Sequence, residues 1–186
     1  MRPEGQKTPE VSLAKVKEAL SAPQPKIILF GPSSDLEYGF LSLDWPVEIE
    51  FQSGNQKATM YHSASQAILA QMASHFHDEI ALERIMTASD SIDYSVANIP
   101  GNREENEIRW KVAYEKLLYD VNLAKFQQYP ALAQQLLQTG DARLGATEPL
   151  EVGIGVPAEK GMNPAFWTGQ NQLGTALMRV RDYLKD

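Results

Sequence analysis

Groups able to hold a ligand are concentrated near the end of the chain. Gly153-Ile154-Gly155, Gly161-Met162-Asn163 and Phe166-Trp167-Thr168-Gly169-Gln170-Asn171 stud one Gly- and Pro-rich stretch from Thr147 to Gln170. Stretches longer than about 12–15 residues without secondary structure are often binding segments. Glycines let a backbone approach a ligand closely. Trp167 could stack on a flat ring. Asn171 could cap the helix that follows, whose N-terminus would favour an anionic group nearby. The same residues also have a plain structural reading: Trp167 as core filler, Asn171 as a cap only and the glycines as turns.

Other chemistry is sparse. The chain has no phosphate-binding Walker loop, no GxGxxG and no GxSxG. His62, His75 and His77 lie close together in sequence, but a spacing of two does not put His75 and His77 on one helix face. The absence of cysteine removes disulfides, thiolate ligands and a cysteine nucleophile, and any metal would need carboxylate ligands. No metal site is expected.

These groups need a scaffold. Residues 26–186 read as one α+β domain, a small β-sheet packed against several helices, with residues 1–25 as an appended segment. In that segment Leu13, Val16 and Leu20 have helical spacing, so a short amphipathic helix is expected, either docked on the domain or offered to a protein partner. Lys26–Phe30 reads as a strand. Val47–Phe51 alternates as a half-buried strand, with Ala58–Tyr61 as its partner. Helices follow over Ser63–Phe76, Asp78–Thr87, Glu107–Gln127, Pro130–Leu137 and Asn171–Leu184. Ser89–Glu105 reads as an exposed connection. Trp110, Tyr114, Leu117, Leu118 and Val121 form one apolar stripe, and Leu173, Leu177, Val180 and Leu184 form another.

Composition narrows the function. The chain has 186 residues, enough for one domain with a core, and its 22% charged content argues against wholesale disorder. No apolar run approaches the roughly 20 residues of a membrane span, and the N-terminus lacks a signal core. A cytoplasmic location is therefore expected, in keeping with the cysteine-free sequence. A net charge of −7 argues against general nucleic-acid binding but leaves room for a local basic pocket.

The run Trp167-Thr168-Gly169-Gln170-Asn171-Gln172-Leu173-Gly174-Thr175-Ala176-Leu177-Met178-Arg179-Val180-Arg181 carries the pattern W-x-G-x-N-x-L-G-x-x-L-M-x-x-R. It resembles the ending of the NADAR (YbiA-like) family. Lys125-Phe126 with Pro130 and Leu132, then Leu136-Leu137-Gln138-Thr139-Gly140-Asp141-Ala142-Arg143-Leu144, resemble that family's middle, and Trp110 falls where it has a tryptophan. Tyr38-Gly39-Phe40-Leu41-Ser42 and Tyr61-His62-Ser63-Ala64-Ser65-Gln66-Ala67 match its front more loosely. The resemblance covers about residues 27–184. It implies an α+β fold and an N-glycosidase without a cofactor. The substrate would be a small phosphorylated nucleoside or an ADP-ribose-type ligand, cleaved at the C–N bond to ribose. Riboflavin-pathway intermediates and ADP-ribosylated bases are the implied classes. It further implies that Ser42, Ser65, Trp110, Asp141, Trp167 and Asn171 contact the substrate.

Several positions depart from the family pattern. Its glutamate and histidine after Y-P-S-x fall on Ser65 and Gln66, the asparagine of F-S-N-F on Leu43, and a lysine on Met72. With two residues deleted, Ala146-Thr147-Glu148-Pro149-Leu150-Glu151-Val152-Gly153-Ile154-Gly155 aligns with E-x-S-P-x-D-x-x-W-G-x-G, so Glu151 takes the aspartate position and the tryptophan is lost. Serine offers a hydrogen bond but no charge to oppose an oxocarbenium ion. Three readings stay open: an N-glycosidase using Glu151, alone or with Glu148, as acid/base; a ligand-binding module that no longer turns substrate over; and a protein that recruits a partner through its N-terminal helix.

Overall fold

Residues 26–32, 37–55, 57–88, 103–147 and 152–186 are described by a computed structural model, with the backbone alone over 103–111. The expected N-terminal helix, the connection over 89–102, and Glu148 and Glu151 lie outside the described residues.

β1 (Ile27–Phe30) points Ile28 and Phe30 into the core. Its partner is β4 (Arg143–Ala146), parallel, with Ile27 opposite Arg143 and Phe30 opposite Ala146. A parallel pair needs a crossover, and among the described residues it contains β2, β3 and four α-helices. β4 was not foreseen from sequence. Arg143-Leu144-Gly145-Ala146 has no β-branched residue and no alternation, and its last three residues are all buried.

β2 (Ile49–Phe51) and β3 (Thr59–Tyr61) form the expected antiparallel pair, turning through Gly54 at φ +55°. Ile49, Phe51 and Tyr61 are buried while Glu50 is exposed, which is the period-two pattern read from sequence. Among the described residues the strands make two separate two-stranded ladders rather than one sheet.

Ser63 starts α1 (Ala64–His75) by accepting the Gln66 N–H at 3.1 Å, and Asp78 starts α2 (Glu79–Thr87) by accepting the Ala81 N–H at 2.9 Å. His77, at φ +57°, turns the chain between them. α1 is buried on nearly every side of its first two turns, and its small residues Ala64, Ala67, Ala70 and Ala73 allow that close approach. α3 (Arg103–Gln128) is the long central helix, beginning four residues before the sequence suggests. Tyr129 donates to the Glu48 carbonyl at 2.7 Å. The Gln128 side chain exchanges two hydrogen bonds with the Glu50 backbone, so the end of α3 grips the hairpin.

α4 (Pro130–Gln138) opens on the proline, which has no N–H to lose there, and ends at Gly140, φ +60°. The stretch expected to be all loop contains a short helix, α5 (Ala158–Gly161), and a 3-10 turn over Pro164–Phe166. α6 (Gln172–Lys185) packs between α3 and β4. Leu173, Leu177 and Val180 are at most 1% exposed, each stabilising by about 1.5–3 kcal/mol through burial, while Leu184 is half-buried at the helix end. No helix among the described residues is long and apolar enough to cross a membrane.

Candidate functional site at the entry to the last helix

The start of α6 is built around Asn171. This residue has left-handed backbone angles (φ 50°, ψ 41°), a region asparagine tolerates better than most residues. The side chain does not cap the helix, contrary to the sequence expectation. Instead its Nδ2 donates to the Leu144 carbonyl at 2.8 Å, and its Oδ1 accepts the Ala146 N–H at 3.2 Å. One amide therefore completes the edge of β4 that β1 leaves open. Unsatisfied backbone groups are costly in a buried strand, which is why this arrangement wins over capping. Main chain also meets the helix start: Asn171 N–H donates to the Gly153 carbonyl at 2.8 Å and Leu173 N–H to Val152 at 3.0 Å. The anion site expected there is thus crowded by carbonyls. Gly174 lies over the same strand. A Cβ at that position would fall 2.3 Å from the Leu144 carbonyl oxygen and about 2.5 Å from the Asn171 amide. The asparagine–glycine spacing of the motif is set by this contact.

Trp167 braces the preceding loop. Its Nε1 donates to the Gly161 carbonyl at 2.8 Å, and its ring edge lies against Gly145, where a Cβ would meet it at 3.0 Å. The Arg143 guanidinium sits 4.6 Å from the ring centre. The indole is half-buried among these groups, so much of its surface is already used by the protein.

A second buried cluster joins the front of the chain to α3. Lys125 is fully buried and donates to the carbonyls of Phe40 (2.8 Å) and Ser42 (2.9 Å). Burial pushes its pKa down to about 7, against a smaller opposing pull from Asp44. Ser42 Oγ accepts the Asp44 N–H at 3.2 Å, and the Ser65 N–H donates to the Leu43 carbonyl at 2.9 Å. Gln66, at the position of the family's histidine, accepts the His62 N–H at 2.6 Å and donates to the Ile85 carbonyl at 2.9 Å. Ser42 and Ser65 are therefore brought together, both nearly fully buried.

Between α3 and α6 lies a cleft of about 150 Å³ lined by Glu115, Gln170, Gln172, Thr175, Ala176 and Arg179. Glu115 and Arg179 put opposite charges on its walls. Neither appears in an ion pair among the described residues. The Arg179 guanidinium rests on the Tyr119 ring, 4.7 Å from its centre. Gln172 is buried and its Oε1 has no hydrogen-bond partner among the described residues.

The residues expected to contact substrate are thus spread over separate environments. Trp167 and Asn171 meet at β4. Ser42 meets Lys125 through its carbonyl, and Ser65 joins the adjacent Leu43 carbonyl. Trp110 lies on α3, five residues before Glu115. Asp141 joins none of them: its side chain is 97% exposed and paired with Lys185 at 3.1 Å, and the Lys185 hydrogen bond lowers its pKa. No group of three His, Asp or Glu among the described residues could hold a metal ion. Sequence reading missed Glu115, Arg179 and Lys125 as site residues. On helical faces, charged residues normally mean solvent, and only the pairing of α3 with α6 sets Glu115 opposite Arg179.

The chain is similar to known proteins in sequence and in fold. The sequence model of the NADAR domain matches residues 29–185. An N-glycosidase of Acanthamoeba polyphaga mimivirus is 29% identical over 144 residues, covering 74% of this chain and 83% of that protein. The NMR structure of the E. coli protein YbiA overlays with a TM-score of 0.64 at 25% identity, covering 88% of each chain.

Proposed function

The chain belongs to the NADAR family, and from that membership we infer that it is an N-glycosidase acting at a ribose in a phosphorylated nucleoside or ADP-ribose-type substrate. In such a reaction the C–N bond at the anomeric carbon breaks and water adds to that carbon. The proton lost by water balances the one gained by the departing base. The transition state carries oxocarbenium charge, which a carboxylate stabilises or which a carboxylate-activated water quenches. The observation that supports this reading is the polar cleft beside the start of α6, where Glu115 and Arg179 face a space lined by amides and a hydroxyl. Glu151, with Glu148 near it, is the acid/base candidate on alignment with the family motif. A cytoplasmic location belongs to the same proposal.

One observation favours a second reading, a module that binds but does not turn over. Ser65 stands at the family's glutamate position and is buried, with no carboxylate of its own. The two readings separate in one assay. The purified protein is incubated with ADP-ribosylated bases and with phosphorylated riboflavin precursors, and release of the free base is followed by chromatography. Hydrolysis that falls about 10²–10³-fold in Glu151→Gln supports the enzyme and its acid. An unchanged rate in that variant removes Glu151 from the mechanism. Ligand binding without base release establishes the binding module.

A further inference from the structure

Two large apolar side chains stand exposed on the corner that leads to Trp167. Met162 is 61% exposed and Phe166 59%. The corner is held firmly: Trp167 Nε1 donates to the Gly161 carbonyl at 2.8 Å, Phe166 N–H to the Asn163 carbonyl at 3.0 Å, and Thr168 N–H to the Ile154 carbonyl at 3.1 Å. An ordered backbone therefore presents both side chains to solvent. The apolar surface continues onto β1. Leu29 and Trp167 both lie 3.0 Å from the Cβ position of Gly145, and Leu29 comes within 2.7 Å of that of Gly161, the neighbour of Met162. Ile27 and Leu29 share the half-buried face of β1, opposite Ile28 and Phe30. Single exposed apolar residues are ordinary, but a contiguous run of them marks a contact surface.

The chain supplies an occupant. Residues 1–25 run directly into this patch, because Lys26 leads into Ile27. In their sequence Leu13, Val16 and Leu20 recur at helical spacing, and Lys15 and Glu18 fall on the opposite face of such a helix. A helix of about ten residues is marginal in water by itself and needs an apolar surface to hold it. The five residues 21–25 span at most about 17 Å when extended, a conformation that Pro23 and Pro25 favour. Leu29 lies about 10 Å along β1 from Lys26, so Leu20 reaches the surface over Leu29 and Gly161. A tether this short sets an effective concentration on the order of mM, which favours the chain's own segment over a free partner. Charge agrees: residues 1–25 hold four Lys/Arg and three Glu, a net +1, against −8 for the remainder of the −7 chain. We propose that residues 11–20 dock as an amphipathic helix on the patch formed by Ile27, Leu29, Met162 and Phe166 of the same chain, with Leu13, Val16 and Leu20 against it. Docked there, the segment lies beside Trp167, at the edge of the candidate site. The contact does not depend on the glycosidase reading.

Hydrogen exchange of the full chain, read by mass spectrometry, tests this. Amides of residues 11–20 should exchange at least about 10-fold more slowly than in an unfolded peptide. Met162→Ser combined with Phe166→Ser should return them to the unfolded rate while the amides of α6 keep theirs. Lys15→Ala, on the opposite face, should leave the protection intact. A second measurement needs no change to the patch. Peroxide oxidation of Met162 is followed against Met60, which is 52% exposed and serves as the internal reference. The docked segment should slow Met162 at least about 3-fold relative to Met60, and Val16→Asp should make the two rates equal. Absence of protection in the parent overturns the proposal and leaves the segment free for another protein. Protection that survives the two serines overturns it by placing the segment elsewhere, and protection that falls on dilution overturns it in favour of a second copy. Equal oxidation of Met162 and Met60 in the parent overturns it as well, whatever the serine variant does to the fold.

Discussion

Asn171 provides the sharpest test of how the site is held together, because two roles for it predict different measurements. Its side chain pairs with the Ala146 N–H and the Leu144 carbonyl, both buried on β4. Removing it in Asn171→Ala strands both backbone groups. Each buried unsatisfied group costs about 1–3 kcal/mol, so the pair costs about 2–6 kcal/mol. Alanine in the left-handed backbone at φ 50° adds about 1–2 kcal/mol, which glycine avoids. Asn171→Gly should therefore be about 1–2 kcal/mol more stable than Asn171→Ala, with both far below the parent. Against a typical total of about 5–15 kcal/mol these are large losses. Urea unfolding at constant m-value reads them directly. Asn171→Asp extends the test to pH. The carboxylate can still accept the Ala146 N–H but faces the Leu144 carbonyl with an oxygen. Protonation restores a donor, so its pKa is raised in the folded state. Its stability should then be greatest at low pH and fall as pH rises through that raised value. Were Asn171 only a ligand contact, Asn171→Ala would weaken binding and leave stability within about 0.5 kcal/mol of the parent. That result would refute the strand-edge role, and equal losses for alanine and glycine would refute the left-handed backbone cost.

Three further outcomes follow from neighbouring geometry. Gly174→Ala puts a methyl 2.3 Å from the Leu144 carbonyl oxygen, so α6 must shift; a loss of about 1–3 kcal/mol or more is expected, seen as a lower melting temperature. In the folded state Lys125 is neutral above about pH 7, whereas unfolded it stays protonated to about pH 10.4. Between those values the unfolded chain binds the extra proton, so stability rises with pH, by at most about 1.4 kcal/mol per unit. Lys125→Met should lack that rise when both proteins are unfolded in urea at pH 7 and pH 9, and parallel curves would show that Lys125 does not titrate there. Buried Arg181 donates to Thr139 Oγ1 (2.8 Å) and the Ala142 carbonyl (2.9 Å), holding the turn that feeds β4. Arg181→Met should cost about 1–3 kcal/mol in the same unfolding assay.

The long C-terminal run is legible as a motif, and in the fold its side chains also take structural partners. Trp167 is a stacking platform by type; in the fold its N–H is bound to the Gly161 carbonyl, its ring edge lies against Gly145 and the Arg143 guanidinium sits 4.6 Å from the ring centre. Asp141 reads as a site carboxylate by alignment, yet it is solvent-exposed beside Lys185. Conversely, Lys125 sits in a segment that sequence already singled out, but nothing local shows that its ammonium would be buried against two carbonyls.

By itself the sequence determined the local elements: alternation in β2, helical stripes in α3 and α6, and the proline that opens α4. Each depends on residues within a few positions, where propensity and periodicity act. Tertiary structure decided β4, the role of Asn171, the burial of Lys125 and the cleft. Asn171 bonds to residues 25 and 27 positions away, and Lys125 to carbonyls 83 and 85 positions away. Such partners satisfy hydrogen bonds and charges only after the chain has closed on itself, so no local pattern in the sequence records them.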